Sequence, residues 1–200
     1  GVCYWLSQQR AAMEDAGIMN GTALAAGQWW RLFTATLLHA DLPHLAANGV
    51  FGFILLGLAL GRYGTGVGLL GALLAGASGN LVSWLAHGNS FQGLGASGVV
   101  MGALGLITVQ SFDQSGKSSQ ALRILFGGLA AGLMLFVLLG LSPGTDVVAH
   151  FGGFLTGIAF GLVLAAGSRV LRGSFANLAA GLIFATLIIG TWWLALRHAG

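Results

Sequence analysis

Three short patterns carry side chains suited to acyl transfer. Gly95-Ala96-Ser97-Gly98 sets a serine between glycines. Missing side chains there let another backbone come close, and the free N–H groups of a helix start point outward. The arrangement suits a nucleophile beside a site for a developing oxyanion. It equally suits close helix packing, which commonly uses small residues. A serine hydroxyl is a poor nucleophile until a base accepts its proton. His150 is a candidate base. It precedes Gly153, Gly157 and Gly161 at offsets of three, seven and eleven, on the face of a small-residue stripe. A helix carrying its own small face through Gly98, Gly102 and Gly105, packed against that stripe, would bring His150 within hydrogen-bond reach of Ser97. The plainer alternative is an interface histidine bonding a carbonyl. His44 and Asn48, four apart, share one helical face and can both donate hydrogen bonds. A developing oxyanion needs such donors. The alternative is a helix-end histidine with an asparagine satisfying backbone.

Other chemistries fit less well. Asp146 stands only at the edge of an apolar run and no acidic residue lies inside one, so a Ser-His dyad is expected rather than a triad. Paired intramembrane carboxylates and a His-Glu-x-x-His pattern are both absent. His39, His44 and His150 lack a carboxylate or thiolate companion, so neither a metal nor another cofactor is expected. The lone Cys3 excludes an internal disulfide.

The elements that must position these residues follow from composition. Of 200 residues, 56% are hydrophobic and 6% charged, whereas a soluble domain is about a quarter charged. Charge-free stretches occupy residues 42–61, 63–112, 124–145, 147–168 and 173–196. About 20 apolar residues span a bilayer, and the longest stretch breaks at the turn-forming His87-Gly88-Asn89-Ser90. Six transmembrane helices are expected, near residues 44–62, 66–86, 95–111, 122–141, 147–167 and 175–196. Gly1–Leu6 reads as the remnant of a further helix upstream. The net charge of +3 comes from single scattered Lys and Arg residues, which excludes a nucleic-acid partner.

Arg62, Lys117, Arg123, Arg169 and Arg172 fall in alternate connections, against Arg10, Arg31 and Arg197 on the opposite side. The positive-inside rule then places His44, Ser97 and His150 near the outer ends of their helices, at depths matching to within a few ångströms. Gly76-Ala77-Ser78-Gly79 repeats the serine motif. It falls mid-span, about 13 Å from the outer end, away from any histidine, which suits packing. Polar groups gathered at one depth favour a site over a transport pathway.

Trp30-Arg31, His44-x-x-x-Asn48, Gly95-x-Ser97-Gly98 and Ala149-His150-x-x-Gly153 occur in order. Together they resemble the rhomboid intramembrane serine proteases. The resemblance implies an all-α polytopic bundle of about six transmembrane helices, with the first family helix missing and an extra C-terminal helix present. Residues 1–173 would form the catalytic membrane domain and 174–200 the additional helix. It implies Ser97 as nucleophile, His150 as general base, and His44, Asn48 and the Ser97 N–H as oxyanion donors. It further implies membrane lipids and single-span membrane proteins as partners, the latter cut near the outer face. Residues 19–41, rich in tryptophan, resemble the family's first outer loop, where Arg31 anchors to headgroups or carbonyls. Compact loops point to a prokaryotic plasma membrane. The alternative is a catalytically silent, client-binding relative, and such relatives usually lack the serine or histidine.

Overall fold

The computed structural model describes residues 11–109, 119–141, 145–166 and 173–198. The expected remnant Gly1–Leu6 lies outside the described residues, as do Arg10, Lys117, Arg169 and Arg172. Six long helices are present among the described residues: α1 (Leu42–Tyr63), α2 (Thr65–His87), α3 (Ser97–Thr108), α4 (Ser119–Gly140), α5 (Val147–Ala166) and α6 (Ser174–His198). α1, α2, α5 and α6 are each long and apolar enough to cross a bilayer. The protein is an all-α integral membrane protein.

α1 starts where the Asp41 carboxylate accepts the His44 N–H at 2.7 Å, with Pro43 in its first turn. It ends at Gly64, whose φ of +88° only glycine adopts easily and where a side chain would strike Asn177 of α6. Asn177 bridges this turn, accepting the Val67 N–H and donating to the Tyr63 carbonyl, both at 3.3 Å. His44, Asn48, Gly52, Leu55, Ala59 and Tyr63 recur at helical spacing, and the lower part of this face packs on α3, where the buried Tyr63 hydroxyl donates to Leu106 O at 2.9 Å. The opposite face of α1 is open, and Phe53 is 84% exposed there. That is ordinary for a surface facing lipid, which is as apolar as the side chain.

α3 departs from the sequence expectation. It has 12 residues where 17 were expected, about 18 Å at 1.5 Å per residue, too short for a hydrocarbon core of about 30 Å. Residues 88–96, which lie outside any α-helix, complete the descent. Non-helical backbone is tolerated at membrane depth only when buried in protein or lining a cavity. Here Phe91 and Gly95 are buried and residues 91–95 line a cavity, while Asn89 and Ser90 are exposed at the end of α2. The segment 19–37 covers this stretch: β1 (Met19–Asn20) pairs antiparallel with β2 (Gln92–Gly93), and the Gly21 and Gly95 amides donate to Phe91 O and Ala35 O at 2.8 and 2.9 Å. Trp84 Nε1 donates to Gly21 O at 3.1 Å, tying the same segment to α2.

Arg31 anchors that segment to carbonyls. Its guanidinium donates to Asp15 O at 2.9 Å, Ile18 O at 2.6 Å and the Gln28 side chain at 2.7 Å. The first two lie at the end of the helical stretch 11–17, where carbonyls have no partner within the helix. Burial holds the guanidinium below its usual pKa, partly countered by the Asp15 charge.

Candidate active site

α2, α3 and α5 pack on one another, and glycines set how closely they meet. A methyl on Gly98 would lie 3.4 Å from Gly76 Cα, and one on Gly102 would strike Ala75, so α2 and α3 run antiparallel in near backbone contact. On the other side Gly153, Gly157 and Gly161 face the carbonyls of Gly98, Gly102 and Leu106. Gly105 faces Phe154 O in return. The two small-residue faces noted in the sequence do pack on each other. At their upper end Gly79 of α2 meets Ala149 O and Gly153 N of α5.

This packing revises the depth argument. Because Gly98 abuts Gly76 and the helices are antiparallel, Ser97 stands level with Ala77 and Ser78. That is about 14 Å below the C-terminal end of α2, counted at 1.5 Å per residue. Ser97 is therefore no shallower than Ser78, and depth does not separate the two serines. Their surroundings do: Ser97 lines the cavity containing His44 and His150, whereas Ser78 does not.

The crossing brings His150 Nε2 to 2.7 Å from Ser97 Oγ. His150 Nδ1 is 2.8 Å from the carbonyl of Gly140 at the end of α4. A carbonyl only accepts, so Nδ1 carries the proton and Nε2 is left to accept the Ser97 hydroxyl. His150 is 2% exposed, which with two fixed partners leaves the ring one orientation. Nδ1 is thus held by a main-chain carbonyl rather than a carboxylate. The carbonyl partner was not legible from side-chain patterns.

His44 approaches Ser97 across Gly95. A methyl built on Gly95 would lie 2.8 Å from His44 Cε1 and 3.6 Å from Ser97 Oγ, and Gly95 has a φ of +135°. A side chain there is excluded on both counts. His39 packs edge-on against His44 with ring centres 5.4 Å apart. Asn48 sits one turn along α1, and its Nδ2 is buried with no hydrogen-bond partner among the described residues. An unmade bond from a buried amide costs about 1–3 kcal/mol, and Asn48, unlike His44, is not among the residues that line the cavity beside Ser97. His44, Asn80, Gly95, Ser97, Gly98 and His150 help line one cavity of about 510 Å³.

Two contributors escaped sequence reasoning. Asn80 lines the cavity and donates to Leu32 O at 2.8 Å, fastening the covering segment to α2. An asparagine inside a span is itself a signal and could have been singled out. Ser83, fully buried, donates to Asp146 Oδ2 at 2.5 Å. His87 and His198 lie outside the cavity, at helix ends. No group of three or more His, Cys, Asp or Glu side chains able to hold a metal occurs among the described residues.

A family model described as a Rhomboid domain matches residues 26–167. RHOMBOID-like protein 6, mitochondrial, from Arabidopsis thaliana is 31% identical over 163 residues, covering 80% of this chain and 52% of that protein. Rhomboid protease GluP from Bacillus subtilis (strain 168) is 28% identical over 147 residues, covering 70% of this chain and 27% of the relative. RHOMBOID-like protein 4 of Arabidopsis thaliana is 34% identical over 138 residues, covering 68% and 34%. The chain thus spans about half the length, or less, of these curated relatives. The matched region runs from within the covering segment through α1 to α5 and includes most of the residues that line the cavity, and on that match this chain belongs to the rhomboid family.

Proposed function

We propose that this chain is an intramembrane serine endopeptidase that hydrolyses peptide bonds of single-span membrane proteins through a Ser97–His150 dyad. The observation that carries the reading is the 2.7 Å contact between Ser97 Oγ and His150 Nε2, with Nδ1 tied to Gly140 O. His150 takes the hydroxyl proton as Ser97 attacks the scissile carbonyl, then returns it to the leaving amine. Water, activated by the same imidazole, releases the acyl group. The developing oxyanion is stabilised by the Asn48 amide, the His44 ring and the Ser97 N–H at the start of α3. Hydrolysis within lipid requires a wet cavity, and the 510 Å³ space beside Ser97 supplies the room. The similarity to a protein named as a rhomboid protease supports the same reading.

Residues 1–173 form the catalytic domain in this reading, and 174–200 an additional helix lying beyond the family match. The helix ends that carry Arg62 and Arg123 and the connections that carry Lys117, Arg169 and Arg172 face inward in this reading, so the cavity opens toward the outer side. Compact loops favour a prokaryotic plasma membrane.

The test is cleavage of a panel of single-span substrates by purified protein, comparing wild type with Ser97→Ala, His150→Ala and Ser78→Ala. Loss confined to the first two variants is expected. Undiminished cleavage by Ser97→Ala would overturn the assignment. A wild type that binds these clients yet cleaves none would favour the catalytically silent reading.

A further inference from the structure

A polar cluster one turn above the dyad, built on the buried Ser83, has no part in the proton transfers described so far. Asp146 precedes α5 and closes its first turn: Oδ1 accepts the Ala149 N–H at 2.9 Å, and its main-chain carbonyl accepts the His150 N–H at 3.0 Å. These two amides belong to the base and to the residue beside it. The other carboxylate oxygen accepts the hydroxyl of Ser83 on α2 at 2.5 Å, and Ser83 is fully buried. His87 Nδ1 lies 3.2 Å from Ser83 Oγ and 2.9 Å from Ser83 O. Its N–H reaches both oxygens, so Ser83 accepts from His87 while donating to Asp146. The chain of bonds runs from α2 through one carboxylate into the backbone that carries His150.

His150 is the fourth residue of α5, so its ring position depends on how the first turn is wound. The Gly140 carbonyl fixes one end of the ring, but it lies on α4, which packs only lightly on α5 beyond the ring contacts of Phe136 with Phe151 and Phe154. A reference point on the closely packed α2 is needed to hold the helix start. The Ser83–Asp146 bond provides it. Asp146 and His150 also line the same cavity, so a frayed first turn would open directly into the site.

We propose that Asp146, held by Ser83, is a positioning residue for the proposed general base, fixing the first turn of α5 so that His150 Nε2 meets Ser97. The proposal rests on the protease reading. It assigns Asp146 no contact with substrate and no proton to carry, which separates it from the third member of a triad.

The test combines kinetics with hydrogen exchange on full-chain protein in detergent or bilayers. Asp146→Ala removes the cap, Asp146→Asn keeps an acceptor that caps as well as aspartate, and Ser83→Ala removes the bond holding the carboxylate. Values of kcat are taken per folded molecule, counted by the intact helical signal. For Asp146→Ala the expected result is a fall in kcat of about 10²-fold, the scale of an ångström's misplacement, with KM unchanged. Asp146→Asn should return to within about threefold of wild type because its cap is equivalent. Ser83→Ala should show a smaller loss of the same kind. Amides 149–150 should exchange faster in Asp146→Ala and stay protected in Asp146→Asn, a readout that does not need turnover. A wild-type kcat in folded Asp146→Ala overturns the proposal. So does Asp146→Asn as slow as Asp146→Ala, which would make charge rather than capping the cause, or a change in KM alone, which would place Asp146 against substrate. If wild type itself is inactive the protease reading fails, while the exchange result still decides whether Asp146 holds the first turn.

Discussion

Replacing Gly153 with alanine separates the two helices that bring His150 and Ser97, the proposed base and nucleophile, together, by an amount the structure sets. A methyl at Gly153 would lie 2.6 Å from the Gly98 carbonyl oxygen, where ordinary contact begins at 3.4 Å. That oxygen is main chain in the first turn of α3 and cannot rotate away, so α5 must withdraw by about 0.8 Å. His150 is three residues away on the same face and moves with it. The 2.7 Å contact to Ser97 would lengthen to about 3.5 Å, the distance at which a side-chain hydrogen bond ceases to be one. A misplacement on this scale costs about 10² in rate, and overpacking of this kind costs about 1–3 kcal/mol of stability. The assay is cleavage of a single-span substrate in parallel with covalent labelling of Ser97 by a fluorophosphonate, each scaled to folded protein. Gly57→Ala is the control, since a methyl there meets nothing within 4 Å. It should retain wild-type rates. A folded Gly153→Ala protein that labels and cleaves as fast as wild type would refute the reasoning that glycine contact sets the dyad distance.

Three other outcomes follow from particular contacts. Asn48→Ala should lower kcat by about 10²–10³ with little change in KM, as expected for an oxyanion donor; an unchanged kcat would return Asn48 to a packing role. Tyr63→Phe removes the buried hydroxyl that the Leu106 carbonyl now receives at 2.9 Å. Unfolding in detergent should show a loss of about 1–2 kcal/mol, with cleavage per folded molecule unaltered. His39, outside the membrane-spanning helices, is held below its usual value of 6.5 by burial first and by neighbouring His44 second. Its unfolded form takes up a proton at a pH where the folded form does not, so its contribution to stability is lost as pH falls through about 6.5 toward the folded value. The melting temperature of wild type should drop more steeply over that window than that of His39→Gln; parallel curves would count against the assignment.

The amino-acid sequence by itself determined the membrane class. Charge-free runs long enough to span a bilayer leave few alternatives, because lipid penalises charge and unpaired backbone alike. It also carried the contact between α3 and α5. The stripe Gly153, Gly157, Gly161 and the face Gly98, Gly102, Gly105 lie on helix surfaces whose periodicity is local. Ser97 and His150 could be paired for the same reason, each standing at the head of its own small-residue face.

Only the tertiary structure decided the depth of Ser97 and the partners of His150. Apolar composition alone drew a full span through residues 95–111, but nine residues outside any α-helix and a 12-residue helix share that crossing. Such backbone survives there because the segment containing β1 pairs with it and α2 and α5 pack on α3. Those partners are distant in sequence. The same holds for His150: its Nδ1 is oriented by a main-chain carbonyl at Gly140, and every residue type has a carbonyl, so no side-chain pattern announces it. Asp146 looked peripheral for a related reason. Its bond to Ser83 crosses 63 positions of chain, and local spacing records only what lies within a turn or two of the same helix.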